Sequence, residues 1–385
     1  MTGHDVLPTW SWPSAAYIHI PFCAHHCGYC DFAVAAGQDH LIDQYIEAIS
    51  VEMAGLGRPT PVDTIFIGGG TPTYLSAEHL AKLFDSINHW LPVRPGGEVS
   101  IESTPESIAP DKVAVLADRG VNRVSIGVQS FQAHLLKSLD RIHSPAHVGR
   151  AIEAVRARID NVSLDLIFGA PGQTLAAWDE DLSSALTFAP DHISTYGLTY
   201  EKGTPLWKQR QRGEVIAIGE QSELAMYERA IDRLTAAGFE QYEVSNFARP
   251  GHRCRHNETY WANEAYFGFG VGAARYVMGR REMNRRNVGD YVRVVLAGDD
   301  ATFQSEELAP EDRARETAAV QLRRSAGIGR SQFEKQTGFA LEAVTAGRIE
   351  FFVAEGLLVD DGEAIRLTRR GRQVADGLVV KLVWG

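Results

Sequence analysis

Six short β-rich runs, each separated from the next by a stretch of helical periodicity, constrain the fold of this 385-residue chain more than any other feature. Between Tyr17 and Tyr200 they read YIHIPF, DTIFIGG, EVSIES, RVSIGVQS, NVSLDLIFG and HISTYGLTY. Intervening segments such as LIDQYIEAISVEMAGL and AEHLAKLFDSINHWL repeat apolar residues at intervals of three and four, which places them on one face of a helix. Strand–helix alternation of this kind builds a parallel sheet from βαβ units. Six units predict an α/β fold, a partial (β/α)6 barrel, with its reactive groups at the carboxyl ends of the strands. Cys23, the GGGTP segment, Glu102, Gln129 and Asp165 are each expected at or just past the end of one of these strands.

After residue 200 the pattern changes. A helical stretch, EQSELAMYERAIDRLTAAGF, leads to QYEVSNFARPGHRCRHNETYW and then to the glycine-dense FGFGVGAARYVMGRREMN. From Ala301 the chain reads as helical, with GLL…DDG…IRLT as a small hairpin before a last helix. The expected organisation is a tail over 1–16, the barrel core over 17–210, an extension over 211–300 and a C-terminal, mostly helical winged-helix-like domain over 301–385. Winged helices often bind DNA, but this one carries 12 Lys plus Arg against 13 Asp plus Glu, and the whole chain has a net charge of -11. That balance argues against a nucleic-acid partner. No apolar run is long enough to span a bilayer, and the first dozen residues lack the basic start of a secretory signal. Three clustered thiols suit a reducing interior, so the chain is expected to be cytoplasmic.

The cluster is C-x3-C-x2-C, formed by Cys23, Cys27 and Cys30. Three thiolates do not complete tetrahedral zinc, although His19, His25 or His26 would supply a fourth ligand. An iron–sulfur cube normally takes four cysteines, and one held by three keeps an iron open to a further ligand. The glycines of GGGTPT let the backbone approach a ligand closely. Glu102 ends one strand with a carboxylate. Gln129 and Asp165 are read as polar ends of apolar strands, and an unpaired Asp165 would be costly to bury. Arg141, in LDRIHS, offers a guanidinium fork suited to a carboxylate. The fourth cysteine, Cys254, reads as a buried inert thiol.

C-x3-C-x2-C after a first strand resembles the radical S-adenosylmethionine superfamily. Together with FIGGGTPTYL, NRVSIGVQSF, RIHS, DLIFGAPGQT and YEVSNFARPGH, it is similar to the oxygen-independent coproporphyrinogen III oxidase family over nearly the whole chain. Within that family it looks most like the heme-chaperone branch. The resemblance implies a 4Fe-4S cluster on Cys23, Cys27 and Cys30, with S-adenosylmethionine on the open iron. It further implies that Tyr17, Gly69, Gly70, Thr71, Glu102, Gln129, Arg141 and Asp165 hold S-adenosylmethionine. RHNETYW resembles the H-N-x-x-Y-W motif of the chaperone branch and is expected in a loop, with His256 as heme ligand and the rings of Tyr260 and Trp261 against the macrocycle. Arg280, Arg281, Arg285 and Arg286 form a basic knot suited to heme propionates.

Two functions fit this resemblance. One is radical-mediated decarboxylation of coproporphyrinogen III; the other is a heme chaperone that passes heme to an acceptor protein, with an electron donor if the cluster is reduced and a homodimer as a possible state. Oxidases of the family resemble C-x3-C-x2-C-x-C, whereas Phe32 stands at the last of those positions here. They also carry a longer segment ahead of the cluster than the 22 residues that precede Cys23. Both differences favour the chaperone.

Overall fold

A computed structural model describes residues 11–385; residues 1–10 of the expected tail lie outside the described residues. The six expected strands form side by side as β1 (Ala15–Ile20), β2 (Val62–Gly69), β3 (Val93–Ser103), β4 (Arg123–Gln129), β5 (Asn161–Phe168) and β6 (His192–Gly197). Each is parallel to the next, from β1 through to β6. Helices α1 (Ile42–Ala54), α2 (Ala77–Trp90), α3 (Pro110–Asp118), α4 (Pro145–Arg156) and α5 (Leu175–Thr187) lie in the connections. Local signals set their starts: Ser76 and Thr174 accept from the backbone N–H groups of His79 and Ala177. Ser144 forms a capping box ahead of Pro145.

Side-chain alternation divides the two faces of the sheet. Ile65, Ile67, Ile101, Val124, Ile126, Leu164 and Leu166 join the helices in the main apolar core. The opposite face carries Tyr17, Phe66, Glu102, Arg123, Ser125, Asp165 and Ser194, all of which line a cavity. The barrel thus has an apolar outside, covered by helices, and an inside that sets buried charged and hydroxyl groups among aromatic rings.

The chain beyond residue 211 continues this sheet. After helix α6 (Glu220–Ala236), β7 (Glu240–Gln241) and β8 (Asn246–Ala248) add antiparallel strands beyond β6. On the other edge, β9 (Tyr266–Phe269) pairs parallel to β1, followed by antiparallel β10 (Ala274–Val277), β11 (Arg280–Asn284) and β12 (Thr302–Glu307). The result is a twelve-stranded sheet. The segment RHNETYW, expected as a loop, is instead the short helix α7 (Arg255–Trp261).

The last residues build a second apolar core from Ala318, Leu322, Phe333, Phe352, Leu378 and Leu382 among others. The expected hairpin is present as Leu358–Asp360 paired with Ala364–Leu367, and Ile328–Gly329 extends it to three strands. This domain docks on the end of α7. Gln321 and Gln336 both donate to the Ala262 carbonyl, at 2.9 and 3.0 Å, and Gln336 also reaches the Asn263 carbonyl at 3.0 Å.

Candidate cofactor and ligand cavity

One cavity of about 1040 Å³ occupies the inside of the barrel. Its mouth, at the carboxyl ends of the strands, is lined by Cys23, Cys27 and Cys30 together with Gly69, Gly70 and Thr71. Cys23 lies three residues past β1, in the short strand Phe22–Cys23 that pairs with Ala35–Ala36, and Thr71 sits 3.2 Å from its sulfur, Oγ1 to Sγ. Burial pushes the Cys23 thiol up to about 12 and the Cys30 thiol up to about 11. Without a cation to take the proton's place, both stay protonated at neutral pH. The glycine edge is sterically required: a β-carbon on Gly70 would lie 2.5 Å from the Pro21 carbonyl oxygen and 3.0 Å from Cys23 Sγ. Gly69 has φ of +111°, and a β-carbon there would meet the His19 ring at 2.6 Å.

The alternative zinc ligands are engaged elsewhere. His19 Nε2 donates to the Ala33 carbonyl at 2.9 Å, and its Nδ1 is 3.1 Å from the Tyr17 hydroxyl. His26 Nε2 meets the Cys30 carbonyl at 3.0 Å, and His25 lies 3.1 Å from Asp140. Among the described residues no three His, Cys, Asp or Glu side chains converge closely enough to hold a single metal ion.

Two of the carboxyl groups lining the cavity, Glu102 and Asp165, stand on its strand walls. Glu102 accepts from the Gly69 backbone N–H at 3.0 Å. Burial, aided by the charge of Asp165, raises its pKa to about 8, so at neutral pH it is mostly protonated. Asp165 corrects the sequence reading in its position, and its partners meet the cost of burying it. It lies inside β5 rather than at its end, and its carboxylate has partners: Ser125 at 3.0 Å and Ser194 at 2.7 Å. Gln129 does end its strand, at a register slip opposite β5 and with φ of +63°. A bulge re-aims a side chain, and a non-glycine residue in the left-handed region is strained. Both features turn Gln129 toward the cavity it lines. The Arg141 guanidinium is already committed to the Gly127 carbonyl at 3.0 Å and to Cys27 Sγ at 3.4 Å.

The floor lies at the amino ends of the strands, where α7 crosses the barrel. His256 is fully buried; its Nδ1 lies 3.1 Å from Thr64 Oγ1, its Nε2 2.9 Å from the Tyr260 hydroxyl, and its ring stacks on Phe66. Burial, with the nearby Arg123 charge, lowers its pKa to about 3, so the imidazole is neutral. Both His256 and Tyr260 line the cavity. Trp261 does not join them: its ring packs under Arg323 of the C-terminal domain, 5.9 Å away, because one helical step turns it away from its neighbour. The basic knot also stands apart. Arg281 pairs with Glu316, Arg280 with Glu282 and Arg286 with Asp31, and none of these arginines lines the cavity. Cys254 is buried, as expected.

Sequence reasoning missed Glu98 and Thr64. Glu98 receives the Arg255 and His256 backbone N–H groups at 3.0 and 3.4 Å and so seats the start of α7. Its signal was available: Glu98, Ser100 and Glu102 alternate on one face of β3.

A barrel of parallel strands with three cysteines and a glycine edge at its mouth defines a radical S-adenosylmethionine protein, and the model of the Radical SAM superfamily matches residues 17–185. The HemN C-terminal domain matches residues 308–374. The chain is 38% identical over 364 residues to the heme chaperone HemW of Bacillus subtilis, covering 93% of this chain and 96% of that protein. It is 36% identical over 385 residues to the heme chaperone HemW of Mycobacterium tuberculosis, covering 96% and 95%. The solved coproporphyrinogen III oxidase HemN of Escherichia coli, described as a radical SAM enzyme, shares the fold, with a TM-score of 0.84 over 97% of this chain and 90% of that one at 23% identity. The chain belongs to the HemW heme chaperone family.

Proposed function

We propose that this protein binds heme and hands it to an acceptor protein, with a 4Fe-4S cluster on Cys23, Cys27 and Cys30 and S-adenosylmethionine beside it. The observation that carries this reading is the single cavity that joins the cysteine mouth to the His256 and Tyr260 floor. Thr64, which holds His256 at the floor, and Gly69, at the mouth, are five residue steps apart on β2, roughly 16 Å of strand. That length accommodates a nucleoside-sized group above and the edge of a macrocycle below.

When bound, the cluster supplies an open iron for the amino and carboxylate groups of S-adenosylmethionine and, if reduced by a donor, an electron. The chain's own groups do the rest. The glycine edge lets the backbone approach the amino-acid end of that cofactor. Glu102, largely protonated, and Gln129 offer donors and acceptors without adding full charge, while Asp165 is held by Ser125 and Ser194 in reach of ribose hydroxyls. At the floor, a His256 that donates from Nδ1 to Thr64 keeps its Nε2 lone pair for a metal. Tyr260 occupies that position now, so its hydroxyl is displaced when heme iron takes Nε2.

Anaerobically reconstituted protein offered heme in one vessel, and coproporphyrinogen III with S-adenosylmethionine and reductant in another, tests the reading. Near-stoichiometric heme binding without release of carbon dioxide is expected. Decarboxylation with formation of 5'-deoxyadenosine would overturn it.

A further inference from the structure

The three mouth cysteines do not share one environment. Cys23 Sγ has the Thr71 hydroxyl at 3.2 Å, a neutral donor once the sulfur is a thiolate. Cys27 Sγ faces Nη1 of Arg141 at 3.4 Å, a donor that also carries full positive charge. Cys30 Sγ has no side-chain donor of this kind among the described residues. Arg141 is fixed in this pose, because its other nitrogens engage the Gly127 carbonyl at 3.0 Å and His143 at 3.4 Å. Thr71 is fixed as well: it is buried, and its backbone N–H bonds the Phe22 carbonyl at 2.9 Å.

Hydrogen bonds and cations at cluster sulfurs withdraw negative charge from them, which favours the state holding one more electron. In a water-poor site the effect of a full charge is larger than in solvent. We propose that Thr71 and Arg141 set the reduction potential of the cluster, Arg141 more strongly, holding it more positive than three undressed thiolates would. The step concerned is the gain of one electron by the oxidised cluster from a low-potential reductant, with no bond made or broken. A more positive cluster is a weaker donor to a sulfonium, so the same two residues restrain reductive cleavage of S-adenosylmethionine. The inference rests on the cluster proposed above.

The test is a redox titration of the full chain with titanium(III) citrate, without S-adenosylmethionine, following the electron paramagnetic resonance signal of the reduced cluster, with iron and sulfide measured on each sample. Thr71→Val is expected to titrate at a more negative potential than the parent and Thr71→Ser at the parent value. Arg141→Met is expected to move further negative than Thr71→Val, and Arg141→Lys less far than Arg141→Met. Fully loaded Thr71→Val and Arg141→Met titrating with the parent would overturn the inference. Loss of iron from Thr71→Val and Arg141→Met but not from Thr71→Ser and Arg141→Lys would also overturn it, replacing tuning by a role in assembly. A parent without iron and sulfide would instead remove the cluster reading itself.

Discussion

Nδ1 of His256 lies 3.1 Å from Oγ1 of Thr64, a residue 192 positions earlier, and this contact ties the α7 helix to the inside of β2. It leaves the far ring nitrogen facing Tyr260 and so governs what that nitrogen can bind. Thr64→Val is expected to cost about 1–2 kcal/mol in chemical denaturation, because the imidazole loses a buried partner. In the same variant the bound heme spectrum is expected to shift, since the ring tautomer is no longer held. An unchanged spectrum would remove His256 from the ligand position.

Glu98 offers a sharper stability test. Its carboxylate receives two backbone N–H groups at the start of α7 and lies 3.2 Å from the Ser100 hydroxyl. Glu98→Gln keeps the size but removes the charge, and a loss of about 1.5–3 kcal/mol is expected from weakened charge-assisted bonds. Amide hydrogen exchange should locate the loss in α7.

Glu102 predicts a pH dependence. Its folded pKa, about 8, lies above the ordinary carboxyl value near 4.5, so the folded state holds the proton longer than the unfolded one. Its contribution is full below pH about 4.5 and is lost as pH rises through about 8. Urea midpoints of the ligand-free parent are therefore expected to fall relative to those of Glu102→Gln between pH 5 and 8. Parallel curves for the two proteins would contradict the placement of Glu102.

Gln129 trades stability for position. With φ of +63° it is strained, and Gln129→Gly is expected to stabilise the ligand-free fold by about 1 kcal/mol. The same change removes a cavity side chain, so binding of S-adenosylmethionine, measured calorimetrically, is expected to weaken. Stabilisation with unaltered binding would make the bulge purely structural.

The parts of the site that were legible in the sequence are those encoded locally. Cys23, Cys27 and Cys30, the glycine edge and the six strands are written in spacing and periodicity within a few residues of each other. The partners of Asp165 are not legible there, because the serines that satisfy it arrive from β4 and β6, and a neighbouring strand leaves no trace in a residue's own surroundings. The helix at RHNETYW was missed for a similar reason. Seven residues without a side-chain cap of their own make a poor helix signal. What seats it is Glu98, 158 positions upstream of His256. Trp261 lies off the cavity because neighbours in sequence do not share a face of a helix.

The twin anchoring of α7, by Glu98 at one end and by Gln321 and Gln336 at the other, imposes an order on synthesis. A chain that emerges amino terminus first has its six parallel strands available long before the second anchor leaves the ribosome. Until residue 321 is out the Ala262 carbonyl has no glutamine amide to accept from, and until residue 336 is out the Asn263 carbonyl has none. The six strands and their cysteine mouth are thus available early, and the second anchor of α7 comes late in translation.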